Sequence, residues 1–487
     1  MNTLTPDETS ELLAANSGAT IFLVGIGGCG MSGLAHLLLD LGHRVAGSDL
    51  VANEEIRQLR ARGATIHLGH VAENIEAAKP FVVIFTPAVT AANPELVWAR
   101  QASIPAIRRA TLLAALVHRQ RGICVSGMHG KTTTSALLAF ALHNLSANPS
   151  HAIGALVPQL GRHARLAWSG TPATDAPPPW FVVEADESDG TLRGFHPEHA
   201  IVLNVDAEHL DHYAGIEAVC KEFRAFSRQV RGVTLFCADD PRLREMFAGQ
   251  PRAISYGFAS GADYRITWRA APVRESPQAP RRSAFEMEHR GAPLGTFKLR
   301  QHGEKNISNA GAVVALLHQL GYAPEAIARA IADFAGVARR QEELFADERF
   351  RVFDDYGHHP SEIEATLRLF KELNPGRLLV AFQPHRYTRT KALLGQFATC
   401  FRDADRLWLA EIYAASEPPI PGVTGRMLAE TVRATGQVVE FVAELDALRG
   451  VVRAAMEPGD ILVFLGAGDI TRAAHELANN LANETRH

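Results

Sequence analysis

Two strand-loop-helix junctions constrain this chain more than any other feature. GIGGCGMSG, at Gly25 to Gly33, stands between the apolar run Thr20 to Val24 and a helical stretch, Met31 to Leu41, with Leu34, Leu37, Leu38 and Leu41 on one face. GMHGKTTT, at Gly127 to Thr134, stands between GICVS, from Gly122, and the apolar helical run Ser135 to Leu145. A glycine loop that opens a helix lets the backbone approach a phosphate and offers free amides at the positive end of the helix dipole. Each loop starts its own strand-helix alternation, which predicts two phosphate-binding domains of α/β class.

Length supports more than one domain, because single cores stop growing near ~250–300 residues and this chain has 487. Composition, at 47% apolar and 21% charged, excludes wholesale disorder. With 49 basic against 53 acidic residues, the net charge of -4 lacks the positive field of nucleic-acid or anionic-membrane binders, so neither partner is expected. The five cysteines are odd in number, scattered and free of any C-x-x-C pair, which argues against a disulfide framework and for a reducing compartment. The N-terminal MNTLTPDETSELLAANS has no apolar h-region, and no run reaches ~18 apolar residues, so a cytoplasmic, soluble protein is expected.

The alternation predicts limits at 1–120, 121–341 and 342–487. Strand-like runs at Thr65 to Leu68 and Phe81 to Phe85 extend the first segment, and Trp180 to Glu184 and Ala200 to Asn204 the second. Residues 259 to 302 alternate loosely and carry many Arg, which suggests antiparallel strands or a mobile excursion, and SGTPATDAPPPW, at Ser169 to Trp180, reads as a surface loop. The third segment repeats the pattern with Phe350 to Phe353, a helix Ser361 to Leu373, and runs at Arg377 to Phe382, Arg406 to Leu409 and Asp460 to Phe464.

Gly25, Gly27, Gly28 and Gly30 fit G-x-G-x-x-G, and Asp49 lies nineteen residues further on, as in a dinucleotide fingerprint. Alone, this loop suggests a nicotinamide oxidoreductase. In the second loop Lys131 suits the β/γ-phosphates and Thr132 a Mg²⁺ ion, although Val125 stands where the full phosphate-loop expression requires glycine. FVVEADESD brings Glu184, Asp186, Glu187 and Asp189 to a strand end, with Glu184 the first metal candidate, and NVDAEHLDHY places His209 near Glu208 and Asp211. DDYGHHPSE gathers Asp354, Asp355, His358 and His359 before a helix that Ser361 could cap with Glu364. QPHRYTRT presents His385, Arg386 and Arg389, a set suited to a carboxylate or phosphate.

In order along almost the whole chain, GIGGCGMSG with GSDL, GMHGKTTT, EADESD, the EHLD turn, NISNA, ARRQE, DDYGHHPSE and QPHRYTRT resemble the Mur ligase family. The resemblance implies an N-terminal Rossmann-like domain for a UDP sugar, a central phosphate-loop ATPase domain with a mostly parallel sheet, and a C-terminal Rossmann-like domain. It implies that Gly25, Gly27, Gly28, Gly30 and Asp49 hold the UDP sugar. ATP would lie on Gly127, Met128, His129, Gly130, Lys131, Thr132 and Thr133, with Asn306, Asn309 and Arg340, and Mg²⁺ on Thr132, Glu184 and His209. The implied reaction joins the carboxylate of UDP-N-acetylmuramate to the amine of L-alanine through an acyl phosphate. Lys131 would offset charge on the transferring group. The group of His358, His359 and Asp355 would accept the amine's proton, and Arg386 and Arg389, with His385 beside them in the catalytic set, would hold the alanine carboxylate or the phosphate.

Met128, Glu208 and Lys305 depart from the usual Thr, Asp and His, and Lys221 is the candidate for the carbamylated lysine of related ligases. A ligase that recycles whole peptides onto the same UDP sugar, a regulator that binds both nucleotides without ligation, and the oxidoreductase remain alternatives. Oligomeric state is left open.

Overall fold

The computed structural model describes residues 4–86, 88–167, 177–186, 190–206, 215–268, 282–373, 375–415 and 417–484. The chain divides into two compact units, residues up to 335 and residues from 336 on; the first holds two sheets and the second one.

The smaller sheet of the first unit is wholly parallel, in the order Thr65–Leu68, Arg44–Asp49, Thr20–Val24, Val82–Phe85, Ala106–Arg108. Its middle strand, TIFLV, is buried at its last four positions, as a parallel strand with helices on both faces requires. From this strand the chain winds first to Arg44–Asp49 and later, on the other side, to Val82–Phe85. The loop that follows Val24 therefore leaves the sheet where the winding reverses, the crevice in which open α/β sheets bind ligands. The helix after it runs Cys29–Asp40, two residues earlier than its apolar pattern suggests, because Gly28 is the N-cap and the helix starts inside the glycine loop.

The larger sheet has ten strands. Ser150–Ala152, Trp180–Glu184, Arg121–Ser126, His199–Val202, Thr234–Cys237, Ala253–Gly257 and Tyr264–Trp268 are neighbours in that order, all parallel. Ser283–His289 and Ala292–Leu299 then continue it antiparallel, as the loose alternation predicts, and Ala164–Arg165 pairs antiparallel at the other edge. Residues 269–281 of that excursion, and 168–176 of the proline-rich loop, lie outside the described residues. Arg121–Ser126 has later strands on both sides, so the second loop also leaves a point of reversal.

The second unit is a six-stranded sheet ordered Glu342–Ala346, Phe350–Asp355, Asp460–Leu465, Leu378–Phe382, Arg406–Leu409, Val439–Phe441, parallel except at its first edge. Alternate residues serve its two faces: Val380 and Phe382 pack with Ile363, Leu367 and Phe401, while Leu379 and Ala381 pack with Leu448, Ala474 and Leu477. The helix expected at Ser361 starts instead at Pro360, which suits a first position because it has no N–H to satisfy. Its cap is accordingly His359 rather than Ser361, and Glu362 rather than Glu364 accepts the amides of His358 and His359, at 3.1 and 3.2 Å.

Candidate active site

At the first loop the helix N-cap Gly28 has no side-chain hydrogen bond to the first turn, so the opening amides of helix Cys29–Asp40 receive no cap from that residue. Gly25, Gly27, Gly28 and Gly30 all lie in this turn. Asp49, at the end of the adjacent strand, accepts the Gly27 amide at 2.8 Å through Oδ2 and the Leu50 amide at 2.7 Å through Oδ1. Asn53 donates to the Gly27 carbonyl at 2.9 Å. Asp49 thus fixes the shape of the cradle.

The second loop is clamped by a residue that sequence reasoning passed over. Asn204, just past the strand His199–Val202, accepts the His129 amide through Oδ1 and donates to the His129 carbonyl through Nδ2, both at 2.9 Å. Its only signal in the sequence is an amide side chain at the carboxyl end of a strand. Lys131 arches back to donate to the Gly127 carbonyl at 2.7 Å, and Thr133 follows in the first turn of helix Lys131–Asn144. Gly130, with φ +89°, is the N-cap of this helix, and a Cβ there would also stand 2.8 Å from Asn309 Oδ1. Asn309 therefore lies against the loop. Asn306, one turn earlier on helix Glu304–Gln319, donates to the His302 carbonyl at 2.8 Å, and Met128 is buried.

Thr132 donates its hydroxyl to Glu184 Oε2 at 3.1 Å, and the other carboxylate oxygen accepts the Gly154 amide at 2.5 Å. Thr132 and Glu184 bring a hydroxyl and a carboxylate to one point beside the phosphate loop, the hard oxygen donors that Mg²⁺ prefers. His209, the third expected ligand, lies outside the described residues, as do Glu187, Asp189, Glu208 and Asp211. Lys221 is exposed on helix Ile216–Gln229.

Gly154 joins the two loops. Its amide bonds Glu184 of the second site, while its carbonyl accepts the Cys29 thiol of the first loop at 2.9 Å. Cys29 is exposed at one side of the loop, yet desolvation by the protein packed around its thiol, then the Glu184 and Glu55 carboxylates, push that thiol up to about 12, so it stays protonated and able to donate.

In the second unit, Asp355 is buried at the end of its strand, its two oxygens accepting the amides of Gly357 and Gln341, each at 2.8 Å. Burial pushes its carboxyl up to about 6. His358 Nδ1 lies 3.0 Å from the Tyr356 carbonyl, which can only accept, so Nδ1 carries the hydrogen and Nε2 keeps its lone pair. Burial lowers the pKa of His358 against the opposing Glu362 carboxylate, 3.7 Å away. The His385 ring lies 5.6 Å from that of His358, and its Nδ1 is 3.2 Å from Arg389 Nη1, which can only donate. Burial, reinforced by His358, Arg389 and Arg386, pushes His385 down to about 4. Arg386 sits at φ +71°, a conformation costly for a side chain and held by its amide donating to the Tyr413 carbonyl at 2.9 Å. Arg340 lies over the Tyr356 ring, its Cζ 5.3 Å from the centroid.

Three family models match in succession. The Mur ligase family catalytic domain covers residues 20–121, the Mur ligase middle domain 125–317, and the Mur ligase glutamate ligase domain 339–468. The UDP-N-acetylmuramate--L-alanine ligases of Anaeromyxobacter sp. and Solidesulfovibrio magneticus are each 42% identical to this chain, over 94% of it and 97% of their own length. The solved UDP-N-acetylmuramate-alanine ligase of Thermotoga maritima superimposes with a TM-score of 0.80 at 29% identity, covering 96% of this chain and 99% of that one. A murein peptide ligase from Psychrobacter arcticus, at 22% identity and a TM-score of 0.68, shares the fold over 96% of this chain and 99% of its own. With two phosphate loops at two points of sheet reversal, relatives at this identity along nearly its whole length, and all three domain models in order, the chain belongs to the Mur ligase family and has its three-domain α/β fold.

Proposed function

We propose that this chain is an ATP-dependent ligase that forms an amide bond between the carboxylate of UDP-N-acetylmuramate and the amine of L-alanine. The domains are assigned as 1–120 for the UDP sugar, 121–341 for ATP and 342–487 at the C-terminus, with residues 336–341 packing with the C-terminal unit. One observation carries the reading: Gly154 hydrogen-bonds the first glycine loop through Cys29 and the head of the second through Glu184. An oxidoreductase has no use for a second phosphate loop tied to its dinucleotide loop, whereas a ligase must bring an acceptor carboxylate to a nucleoside triphosphate.

A free carboxylate does not acylate an amine in water. A muramate carboxylate oxygen attacks the γ-phosphorus, the bond to the β-phosphate oxygen breaks, and ADP leaves an acyl phosphate behind. The alanine amine then attacks the acyl carbon, phosphate departs with its bridging oxygen, and the nitrogen gives up a proton. Lys131 meets the transferring group with a positive charge already fixed by the loop. Thr132 and Glu184, with His209 as the further ligand, would hold Mg²⁺, which would offset phosphate charge. His358, with its Nε2 lone pair, is assigned the amine's proton. His385, pushed down to about 4, is too weak a base near neutral pH and is assigned with Arg386 and Arg389 to the amino acid's carboxylate. Asp355 acts by holding the turn that carries His358.

No helix among the described residues is long and apolar enough to cross a membrane, and we place the reaction in the cytoplasm, where ATP is available. Phosphate release should require UDP-N-acetylmuramate and L-alanine together. Release supported by a peptide but not by alanine would identify a recycling ligase, and thermal protection by NADH but not by the UDP sugar would restore the oxidoreductase.

A further inference from the structure

The first glycine loop supplies amides and a helix dipole to a diphosphate, but GIGGCGMSG contains no cation and Asp49 beside it is an anion. A cation comes from another element. Arg109 is the first residue of helix Arg109–His118, directly after strand Ala106–Arg108, whose carboxyl end lies at the same edge of the parallel sheet as the loop. Its guanidinium lies across the first turn of helix Cys29–Asp40, where a Cβ built on Gly30 would stand 2.6 Å from Nη1 and 3.2 Å from Cζ. The third glycine of the pattern thus leaves the space that this guanidinium occupies, and a larger residue there would push the arginine aside.

Arg109 also faces Asp186, whose Oδ2 is 3.8 Å from Arg109 Nη2; the side chains are 25% and 38% exposed, Arg109 first. A partly exposed pair at that separation holds weakly. A phosphate oxygen pair can instead take two parallel charge-assisted hydrogen bonds from the guanidinium fork. We propose that Arg109 is the cation that binds the sugar nucleotide's diphosphate, exchanging Asp186 for phosphate oxygens as the ligand enters. This rests on the reading that the first loop holds the UDP sugar. Asp186 lies two residues past Glu184, so the exchange takes place beside the ATP loop.

The test is steady-state kinetics of the full-length enzyme with UDP-N-acetylmuramate varied at saturating ATP and L-alanine. Arg109→Met is expected to raise KM for the sugar nucleotide about 10- to 100-fold, the effect of losing a charge-assisted fork, while KM for ATP stays within about twofold. The KM of the variant should also depend less steeply on ionic strength than that of wild type. Arg109→Lys, which keeps the charge but not the fork, should give a KM between the two. An unchanged sugar-nucleotide KM in Arg109→Met, or equal rises for both nucleotides, would overturn the role of Arg109. If Arg109→Met does not fold, a wild-type KM in Arg109→Lys overturns it. Failure of the wild type to use UDP-N-acetylmuramate at all would instead remove the reading of the loop.

Discussion

Glu184→Gln separates a metal-binding carboxylate from a structural one. The wild-type carboxylate accepts the Gly154 amide at 2.5 Å and the Thr132 hydroxyl at 3.1 Å. Glutamine has one acceptor oxygen. With that oxygen on Gly154, its NH₂ faces Thr132, whose hydroxyl rotates and accepts instead, so both of these contacts can be kept. The fold should therefore lose no more than ~1 kcal/mol, one ordinary hydrogen bond rearranged. The negative charge is lost entirely, and with it an inner ligand for the ion that shields the transferring phosphate. Removing one preorganised electrostatic contact of this kind costs ~10²-fold or more in turnover. The assay is phosphate release titrated with MgCl₂, run beside a thermal melt. The expected result is a near-native midpoint, turnover down at least ~10²-fold, and a half-saturating Mg²⁺ concentration raised at least ~10-fold. Native turnover with an unchanged Mg²⁺ requirement, or a large fall in melting temperature without a kinetic defect, would refute the metal role and leave Glu184 as the tie between Gly154 and Thr132.

Lys131→Ala removes the ammonium now resting on the Gly127 carbonyl and should lower kcat by at least ~10²-fold in steady-state ligation. Gly28 lies at φ -69°, ψ 143°, and a Cβ there would meet only the Gly25 carbonyl oxygen, at 3.6 Å. Gly28→Val should thus fold, lose thermal protection by UDP-N-acetylmuramate, and keep the wild-type KM for ATP. His151 is 2% exposed, donates to the Arg162 carbonyl, and is pushed by burial down to about 4 from its ordinary 6.5. The unfolded chain takes this proton first, so the stabilisation is complete above pH ~6.5 and is lost as pH falls towards 4, by up to ~3 kcal/mol at ~1.4 kcal/mol per pH unit. Urea unfolding of His151→Gln, which keeps a donor for Arg162, should lose that slope. Asp355, raised to about 6, has the opposite sign and cancels in the comparison with wild type.

What was legible in the sequence was local. A glycine loop between a strand and a helix has one geometry, so Gly25 to Gly30 and Gly127 to Thr133 could be placed from their spacing, and burial on both faces made the parallel strands read as apolar runs. Contacts between distant segments were not legible. Asn204 and His129 are 75 residues apart and Cys29 and Gly154 are 125 apart, and nothing in either partner marks the other. Asp49 was found by its spacing, yet the fingerprint names only a ribose partner, while the folded chain also uses its carboxylate on Gly27. At DDYGHHPSE the Ser-x-x-Glu pattern pointed to the wrong cap because Pro360 sets the first helical position one residue earlier. Arg109 gave no signal, since an arginine after a strand is ordinary until Gly30 is seen beneath it.

The central claim is that the two phosphate loops serve one phosphoryl transfer from ATP to a carboxylate. UDP-N-acetylmuramate labelled with ¹⁸O in its carboxylate, incubated with this enzyme, ATP and L-alanine, tests it directly. An acyl-phosphate route must carry one labelled oxygen from the carboxylate into each phosphate released, with ADP as the other product. Phosphate without label, or label recovered in AMP, would contradict the account.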